Sequence, residues 1–287
     1  MTDDWTFVGR KQKKSFKPKP APAPETSTAK PLAFSYAQAP AKAKGAVDGV
    51  ARAISRATRI RDAMRNSAFY ARLKTVLDAN LALDSGEVLQ LVAYGVGSFA
   101  SGPCGNAVYQ LACTALLCEY FKHRARLSHA YIYDPVMTED DNVVAEAVGL
   151  QVLPTNERGQ RRATTRTLFF MPHCGKQLYQ NVLLANWGQD GLAKIAVLGN
   201  SFEAYDDRVV QASARQASIF SALVPYTTEV SLGSCEKSDL DHFQYDAAFN
   251  DTSLHIFSID RLETADADGL FLRDVKAFDV GTDEDLM

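Results

Sequence analysis

Residues 87–100 read EVLQLVAYGVGSFA, an apolar run that gives way to glycines and small residues. The run from Val88 to Gly95 has the length of a buried strand. The residues after it, with Gly95, Gly97 and Ala100, formally fit the pattern G-x-G-x-x-A. In such loops glycines let backbone N–H groups approach a phosphate or a carboxylate. The stretch therefore predicts the first strand of a parallel sheet with a candidate ligand loop at its carboxyl end.

Further apolar runs follow and alternate with helical patterns. The seven predicted strands are Val88 to Gly95, Ala130 to Tyr133, Gln151 to Leu153, Thr167 to Met171, Lys194 to Gly199, Thr228 to Leu232 and Leu254 to Ile259. Helices are predicted near residues 104–124, 139–148, 175–187, 204–222 and 239–249. Continuous apolar strands with helical crossovers are typical of a mainly parallel sheet that helices cover on both faces. We predict an α/β, Rossmann-like, doubly wound domain over residues 85–260.

A helical segment is predicted ahead of this domain, over residues 46–84. The stretch from Val47 to about Leu83 lacks proline and has Gly49 as its single glycine, and Ala, Arg and Leu dominate it. Phe69, Leu73 and Leu77 recur at helical spacing, so the segment should pack on the domain. Ser67 is predicted to break the segment into two helices by capping the second one.

The two ends of the chain carry opposite charge, although the formal net charge of the 287 residues is only −3. Residues 1–44 hold 9 basic and 3 acidic residues and 6 of the 11 prolines. We therefore predict a disordered basic arm over residues 1–45, whose residues 10–17 are a candidate contact for an acidic protein or for nucleic acid. Residues 260–287 hold 9 acids against 3 basic residues. An acidic C-terminal tail is predicted over residues 261–287.

The overall composition is that of an ordinary soluble globular protein, with 46% apolar and 23% charged residues. The five cysteines show no CxxC spacing, which argues against a disulfide framework or a zinc ribbon. No secretory signal or membrane-spanning run is apparent. We expect a cytoplasmic and nuclear protein without a membrane contact.

Small and polar side chains follow four of the predicted strands, where open parallel sheets bind their ligands. These candidate ligand-binding residues are Gly95, Gly97 and Ser98 after the first strand, Asp134 after the second, Cys174 after the fourth, and Asn200 and Ser201 after the fifth. Asp134 is placed to accept hydrogen bonds from ribose hydroxyls. The predicted ligand is a small anionic or nucleotide-like molecule. We name no cofactor and predict no metal site.

Two of these positions also have chemical alternatives. His173 is the candidate catalytic base, because an imidazole titrates near neutral pH, but it also fits a structural, hydrogen-bonded role. Cys174, just before a helix, fits an activated thiolate. Ser201 fits a helix cap as well as a ligand contact. The glycines after the first strand also fit a tight turn alone.

A series of short motifs resembles the "sensitivity to red light reduced" (SRR-like) proteins. In chain order they are Tyr94-Gly95-Val96-Gly97-Ser98-Phe99, Tyr109-Gln110-Leu111, Tyr133-Asp134-Pro135-Val136, Asn156-Glu157, Thr167-Leu168-Phe169-Phe170-Met171-Pro172-His173-Cys174, Ala185-Asn186-Trp187 and Gly199-Asn200-Ser201-Phe202. The similarity covers residues 69–202, with a weaker continuation toward Ile259. It implies a regulatory role in the circadian clock and light signalling, with other members connected to haem synthesis. It implies no reaction, so no active site is transferred.

Three functions therefore compete. The first is a regulatory SRR-like protein with a site for a small anionic or nucleotide-like ligand. The second is an enzyme that transfers a group from a nucleotide cofactor, in particular an S-adenosylmethionine-dependent methyltransferase with His173 as base. The third is a non-catalytic module that binds acidic partners through the basic arm.

Overall fold

The computed structural model describes residues 44–278 apart from 82, 84, 103 and 104. Its strands are β1 Leu89–Tyr94, β2 Leu127–Tyr133, β3 Gln151–Val152, β4 Thr167–Met171, β5 Ile195–Asn200, β6 Thr228–Ser231 and β7 Thr252–Ile256. Its helices are α1 Lys44–Arg65, α2 Ala68–Asn80, α3 Asn106–His123, α4 Glu139–Ala147, α5 Lys176–Ala185, α6 Gln189–Leu192, α7 Phe202–Asp207, α8 Ala212–Ala217, α9 Ile219–Leu223, α10 His242–Phe249 and α11 Ile259–Ala267. Each predicted strand is present, so the prediction of an α/β fold is confirmed.

The strands form one sheet in the order β3-β2-β1-β4-β5-β7-β6. The neighbours from β3 to β5 pair in parallel, as predicted. The sheet is nevertheless mixed, because β7 runs antiparallel to both β5 and β6. No local pattern predicts this reversal, because β7 is buried along its whole length and its direction depends on its pairing with the distant strands β5 and β6.

The sheet separates two clusters of buried side chains, so helices cover both of its faces. Along β1, Leu91 and Ala93 point into one cluster, while Val92 and Tyr94 point into the other. The first cluster also contains residues of α1 to α4 and α10, and the second contains residues of α5, α6, α9 and α11. This alternation follows from the two-residue repeat of a strand and explains why β1 is apolar at successive positions.

The two N-terminal helices pack on the first face, and their junction is built as the sequence predicts. The Ser67 hydroxyl accepts a hydrogen bond from the backbone N–H of Tyr70 at 3.1 Å, which caps α2. The carboxylate of Asp239 accepts hydrogen bonds from the first two backbone N–H groups of α2, those of Ala68 and Phe69, at 2.8 and 3.0 Å. Leu73 is fully buried in the core. The start of α2 is thus fastened to a distant segment of the chain.

One helix of the C-terminal half differs from the sequence expectation. The helix expected over residues 204–222 is three short helices, α7 to α9, because Ser218 caps a new helix and the branched Val209 and Val210 fall in an interruption. Residues 261–278, the first part of the expected acidic tail, include most of α11 and bury Leu262 and Phe278 against the second face. Residues 279–287 of the predicted acidic tail and residues 1–43 of the basic arm predicted over 1–45 lie outside the described residues.

No helix in the described part of the chain is long and apolar enough to cross a membrane.

Candidate functional site

A cavity of about 310 Å³ opens at the carboxyl ends of β1, β2 and β4. Its lining residues are Tyr94, Gly95, Tyr133, Asp134, Pro135, Val136, Asn156, Gly159, His173, Cys174, Gly175 and Leu178. We call this cavity the rim pocket. In the sheet, β2 lies on one side of β1 and β4 lies on its other side, so the strand order reverses beside β1, where the pocket opens. Ligands of open α/β sheets bind at such a point of reversal.

The structure brings four of the eight predicted site residues into the wall of the rim pocket, namely Gly95, Asp134, His173 and Cys174. The other four lie outside the lining. Asn200 holds the segment that carries His173, Ser201 caps a helix, and Gly97 and Ser98 belong to the loop after β1.

Gly95 and Cys174 lie against each other in the pocket wall. Gly95 has a φ of +69°, and a Cβ added to it would lie 2.4 Å from the Cys174 Sγ atom. The thiol lies 3.3 Å from the backbone oxygen of Tyr94. Burial, followed by the negative charge of Asp134, raises the pKa of the Cys174 thiol. The interpretation as an activated thiolate is therefore wrong, and Cys174 is a neutral packing residue at neutral pH.

His173 stands exposed at the mouth of the pocket with a left-handed backbone, φ +55°. Its backbone N–H donates a hydrogen bond to Oδ1 of Asn200 at 3.0 Å, and the Asn200 amide also donates to the Tyr205 hydroxyl at 3.0 Å. Within the described part of the chain, the imidazole itself has no hydrogen-bond, ion-pair or ring partner. Non-glycine residues in this conformation are uncommon, and they cluster at functional sites. Asn200 thus positions a free imidazole over the pocket.

The glycine loop after β1 is bonded to two carboxylates of the protein itself. The Gly97 N–H donates to Oδ2 of Asp134 at 2.8 Å. The N–H groups of Phe99 and Ala100 donate to Oδ1 of Asp141 at 2.7 and 2.6 Å, and the Ser98 hydroxyl donates to Oδ2 of Asp141 at 2.8 Å. These donors, which the sequence predicts for an anionic ligand, have partners within the fold.

Asp141 is the most important residue that sequence reasoning missed. It is fully buried and forms a capping box with Thr138 at the start of α4. Burial opposes its ionisation, but the backbone hydrogen bonds of Thr138, Ala100 and Phe99 outweigh burial and hold the pKa of this carboxyl below its usual range. The capping-box spacing was readable as a helix start, but its reach to the loop after β1 was not.

A second missed group stands behind the pocket. The Tyr94 hydroxyl donates to Oε2 of Glu157, and Arg161 donates to both oxygens of Glu157 at 2.8 and 2.6 Å. Burial raises the pKa of Glu157, but the hydrogen bonds from Arg161 and Tyr94 outweigh it, so the pKa is lowered. The arginine side chain lies over the Tyr131 ring, 4.8 Å from its centroid. This network fixes the β3–β4 connection against the pocket.

Ser201 takes its alternative role. Its hydroxyl accepts a hydrogen bond from the Ala204 N–H at 3.0 Å and so caps α7. The backbone N–H groups of Phe202 and Glu203, at the start of the same helix, each donate a hydrogen bond to Oε2 of Glu229 at 3.0 Å. Ser201 therefore serves the start of α7.

Comparison with known proteins assigns the family. The sequence model of the SRR1 domain matches residues 62–256, which is more than half of the chain. The chain belongs to the SRR1 family. The resemblance read from the strand-end motifs is thereby confirmed.

Three SRR1-family relatives show how far the similarity extends. The protein "SENSITIVITY TO RED LIGHT REDUCED 1" of Arabidopsis thaliana is 36% identical over 195 residues, 67% of this chain and 68% of the relative. An SRR1-like protein of Mus musculus is 38% identical over 144 residues, 50% of this chain and 54% of the relative. One of Drosophila melanogaster is 24% identical over 172 residues, 60% of this chain and 58% of the relative. No solved structure is significantly similar to the chain.

Most of the rim pocket comes from the motifs that carry the family resemblance. Its walls take residues from the runs Tyr94–Phe99, Tyr133–Val136 and Thr167–Cys174, and also Asn156. Gly159, Gly175 and Leu178 complete it from outside those runs. The SRR1 motifs that are scattered along the sequence thus meet at one cavity.

Proposed function

We propose that this SRR1-family chain is a regulatory protein whose rim pocket binds a small, nucleoside-like ligand. The observation that carries the proposal is the position of Asp134, at the end of β2 and in the wall of a cavity where the strand order reverses. Its Oδ1 accepts the Val136 N–H at 2.9 Å and its Oδ2 accepts the Gly97 N–H at 2.8 Å. Each carboxylate oxygen has two lone pairs, so each keeps room for a ligand hydroxyl or amine.

The rest of the wall suits a flat, partly apolar molecule. Tyr133, Val136 and Leu178 provide apolar surface, and Asn156 and His173 add polar groups. A cavity of this size and mixed lining is within the usual range of small-ligand sites. The strand order 3-2-1-4-5 matches the start of the doubly wound dinucleotide-binding order, which supports the Rossmann-like assignment as part of the proposal.

Ligand-dependent stability tests this proposal directly. The melting temperature of the full chain is measured with adenosine, nicotinamide and adenine nucleotides, S-adenosylmethionine and haem. A ligand that occupies the rim pocket raises the melting temperature by mass action, and Asp134→Asn reduces that shift. Asp266→Asn, at an exposed position on α11, is the matched control and leaves the shift unchanged. No shift with any compound contradicts the ligand proposal.

A second candidate function is favoured by His173. Its left-handed backbone and its free imidazole at the pocket mouth fit a general base that acts on a bound substrate. In this alternative the protein transfers a methyl group from S-adenosylmethionine. His173→Ala would then abolish turnover while the melting temperature stays within a few degrees. S-adenosylmethionine that neither binds nor is consumed removes this alternative.

The biological part of the proposal rests on the relatives. The name of the Arabidopsis relative refers to sensitivity to red light, which supports a role in light-dependent regulation. Regulation of the circadian clock and haem-related regulation are further parts of the proposal. We place the protein in the cytoplasm and nucleus. Cells that lack the chain should show an altered period of a rhythmic reporter, and fluorescent fusions should appear in both compartments. An unchanged period speaks against the clock role.

A further inference from the structure

The loop after β1 is arranged like a phosphate cradle, yet carboxylates of the chain occupy its donors. Phosphate groups in such loops are held by backbone N–H groups after the first strand. Here the Gly97 N–H bonds Asp134, and the Phe99 and Ala100 N–H groups bond Asp141. The Ser98 hydroxyl, a further donor, also bonds Asp141. An anionic ligand would have to displace two carboxylates to reach these groups.

Asp141 is held too firmly to be displaced. Besides the loop, it accepts hydrogen bonds from the backbone N–H and the hydroxyl of Thr138, each at 2.8 Å. Its side chain is fully buried, and its pKa lies below the usual range. The carboxylate thus stays ionised and leaves a permanent negative charge beside the loop.

The loop is fixed from its other side by Arg56 of α1. The guanidinium donates to the backbone oxygens of Phe99 at 2.7 Å and Gly102 at 3.0 Å. Its positive charge is therefore directed at the carbonyl groups of the loop. With Arg56 on the carbonyls and Asp141 on the amides, the loop has little freedom to turn its N–H groups toward a ligand.

The rim pocket has no lysine or arginine in its described lining that would compensate the charge of an anion. None of the described residues that line it is a lysine or an arginine, and Asp134 is among them. Arg161, behind the pocket, forms an ion pair with Glu157, with its Nη2 atom 2.6 Å from Oε1 of the carboxylate. A phosphate in the pocket would therefore face the Asp134 carboxylate without a lysine or arginine partner, and like charges repel strongly in a partly buried site.

We propose that the rim pocket excludes phosphate and selects ligands that are uncharged or cationic and carry hydroxyl or amine donors. This inference rests on the proposed function only for the nucleoside-like character of the ligand. What it adds is the charge that the ligand can carry. Asp134 is the specificity-determining residue, because it both fills the loop and faces the ligand. Asp141 keeps the remaining loop donors closed.

The test compares matched probes on the full ¹⁵N-labelled chain. Adenosine, AMP and inorganic pyrophosphate are titrated while the backbone amides of Gly97 and Val136, which both bond Asp134, are followed by NMR. We expect adenosine to bind at least about tenfold more tightly than AMP, equivalent to one 1.4 kcal/mol step in binding free energy. Pyrophosphate should cause no saturable shift. Asp134→Asn should reduce the preference for adenosine over AMP and should allow pyrophosphate to shift the Gly97 amide signal. Asp266→Asn should behave like the wild type.

The outcomes separate this inference from the ligand proposal. AMP that binds as tightly as adenosine, or saturable binding of pyrophosphate to the wild type at these amides, overturns the exclusion of phosphate while a ligand site remains. When neither adenosine nor AMP binds, the nucleoside proposal fails and the pyrophosphate titration alone tests the exclusion of phosphate. Pyrophosphate shifts confined to Asp134→Asn then support the inference, and their absence from both proteins overturns the role of Asp134.

Discussion

A Cβ atom on Gly95 would lie 2.4 Å from the Sγ atom of Cys174, so the end of β1 and the segment after β4 touch through a position that only glycine can occupy. This contact joins the two strands that flank the point where the sheet reverses its order. It also forms part of the wall of the rim pocket.

Gly95→Ala should lower the free energy of unfolding by about 2–4 kcal/mol, because it combines overpacking with a side chain at positive φ. Gly86→Ala is the matched control, since Gly86 also has positive φ, +82°, but has no atom within 4 Å of the added Cβ. The control should lose only about 1 kcal/mol. Urea denaturation measures both, and equal losses would disprove the steric clash. Combining Gly95→Ala with Cys174→Ala should recover part of the loss.

Asp141→Asn should lower the free energy of unfolding by about 2–4 kcal/mol, because a buried carboxylate that accepts several backbone hydrogen bonds is replaced by an amide that donates on one side. Asp140→Asn, at an exposed position on the same helix, should change it by less than about 0.5 kcal/mol. Chemical denaturation measures the free energy of unfolding of the wild type and of both variants. Similar stabilities would show that the loop does not depend on Asp141.

The pair of Glu229 and His255 should make stability depend on pH in the acid range. His255 is fully buried, and its Nε2 lies 3.3 Å from Oε2 of Glu229. Burial raises the pKa of Glu229, but the hydrogen bond and charge of His255 outweigh burial and lower the pKa to about 2. A carboxyl with a depressed pKa stabilises the fold above its unfolded pKa, and this contribution is lost as the pH falls toward the folded value.

The corresponding experiment compares wild type with Glu229→Gln from pH 6 to pH 2. The wild type should be more stable by on the order of 3 kcal/mol above pH 5, and the difference should shrink as the pH falls from about 4.5 toward 2. Glu263→Gln, at an exposed position on α11, is the control and should show no such trend. A difference that is constant over the whole range would contradict the lowered pKa.

Cys174 should resist alkylation in the folded protein. Burial raises the pKa of its thiol, and only the thiolate reacts. Iodoacetamide at pH 7.5, followed by peptide mass spectrometry, should leave Cys174 unmodified in buffer and label it in urea. Cys113, which burial also shifts toward the neutral thiol, is the internal control. Fast labelling of Cys174 alone would restore the interpretation as a reactive thiol.

The basic arm predicted from the sequence has its own test. Residues 10–17 should give the full chain an affinity for a polyanion such as heparin that falls steeply with salt, because binding releases counterions. Deletion of residues 1–44 should abolish this affinity. Exchanging Arg52 for Gln, at an exposed position on α1, is the control and should reduce the affinity only slightly. Unchanged affinity after the deletion rules out the arm as the contact.

Much of the site was predictable because strand ends can be read from the sequence. The sequence predicts Asp134 and His173 as site residues because each follows an apolar run, and both line the rim pocket. In a parallel sheet the carboxyl ends of the strands lie at one edge, so residues that follow different strands in the sequence are predicted to lie close together in space. Ser67 and Ser201 were likewise readable as caps, because capping involves residues only three positions apart.

The remaining features depend on pairs of residues that are far apart in the chain. Asp141 reaches Phe99 across 42 positions, and Tyr94 reaches Glu157 across 63. No local pattern announces such contacts. The sequence pattern also does not distinguish β7 from a parallel strand, because the direction of a buried strand is set by the distant strands with which it pairs.

The amino-acid sequence alone thus determined the α/β fold, the family resemblance and the edge of the sheet that carries the rim pocket, since apolar periodicity and short-range capping are encoded locally. The tertiary structure alone decided that β7 is reversed, that Cys174 is a buried neutral thiol, and that the glycine loop is filled by Asp134 and Asp141. The physical reason is that the direction of a strand, the ionisation of a side chain and the occupancy of a hydrogen-bond donor all depend on which distant groups folding brings next to it.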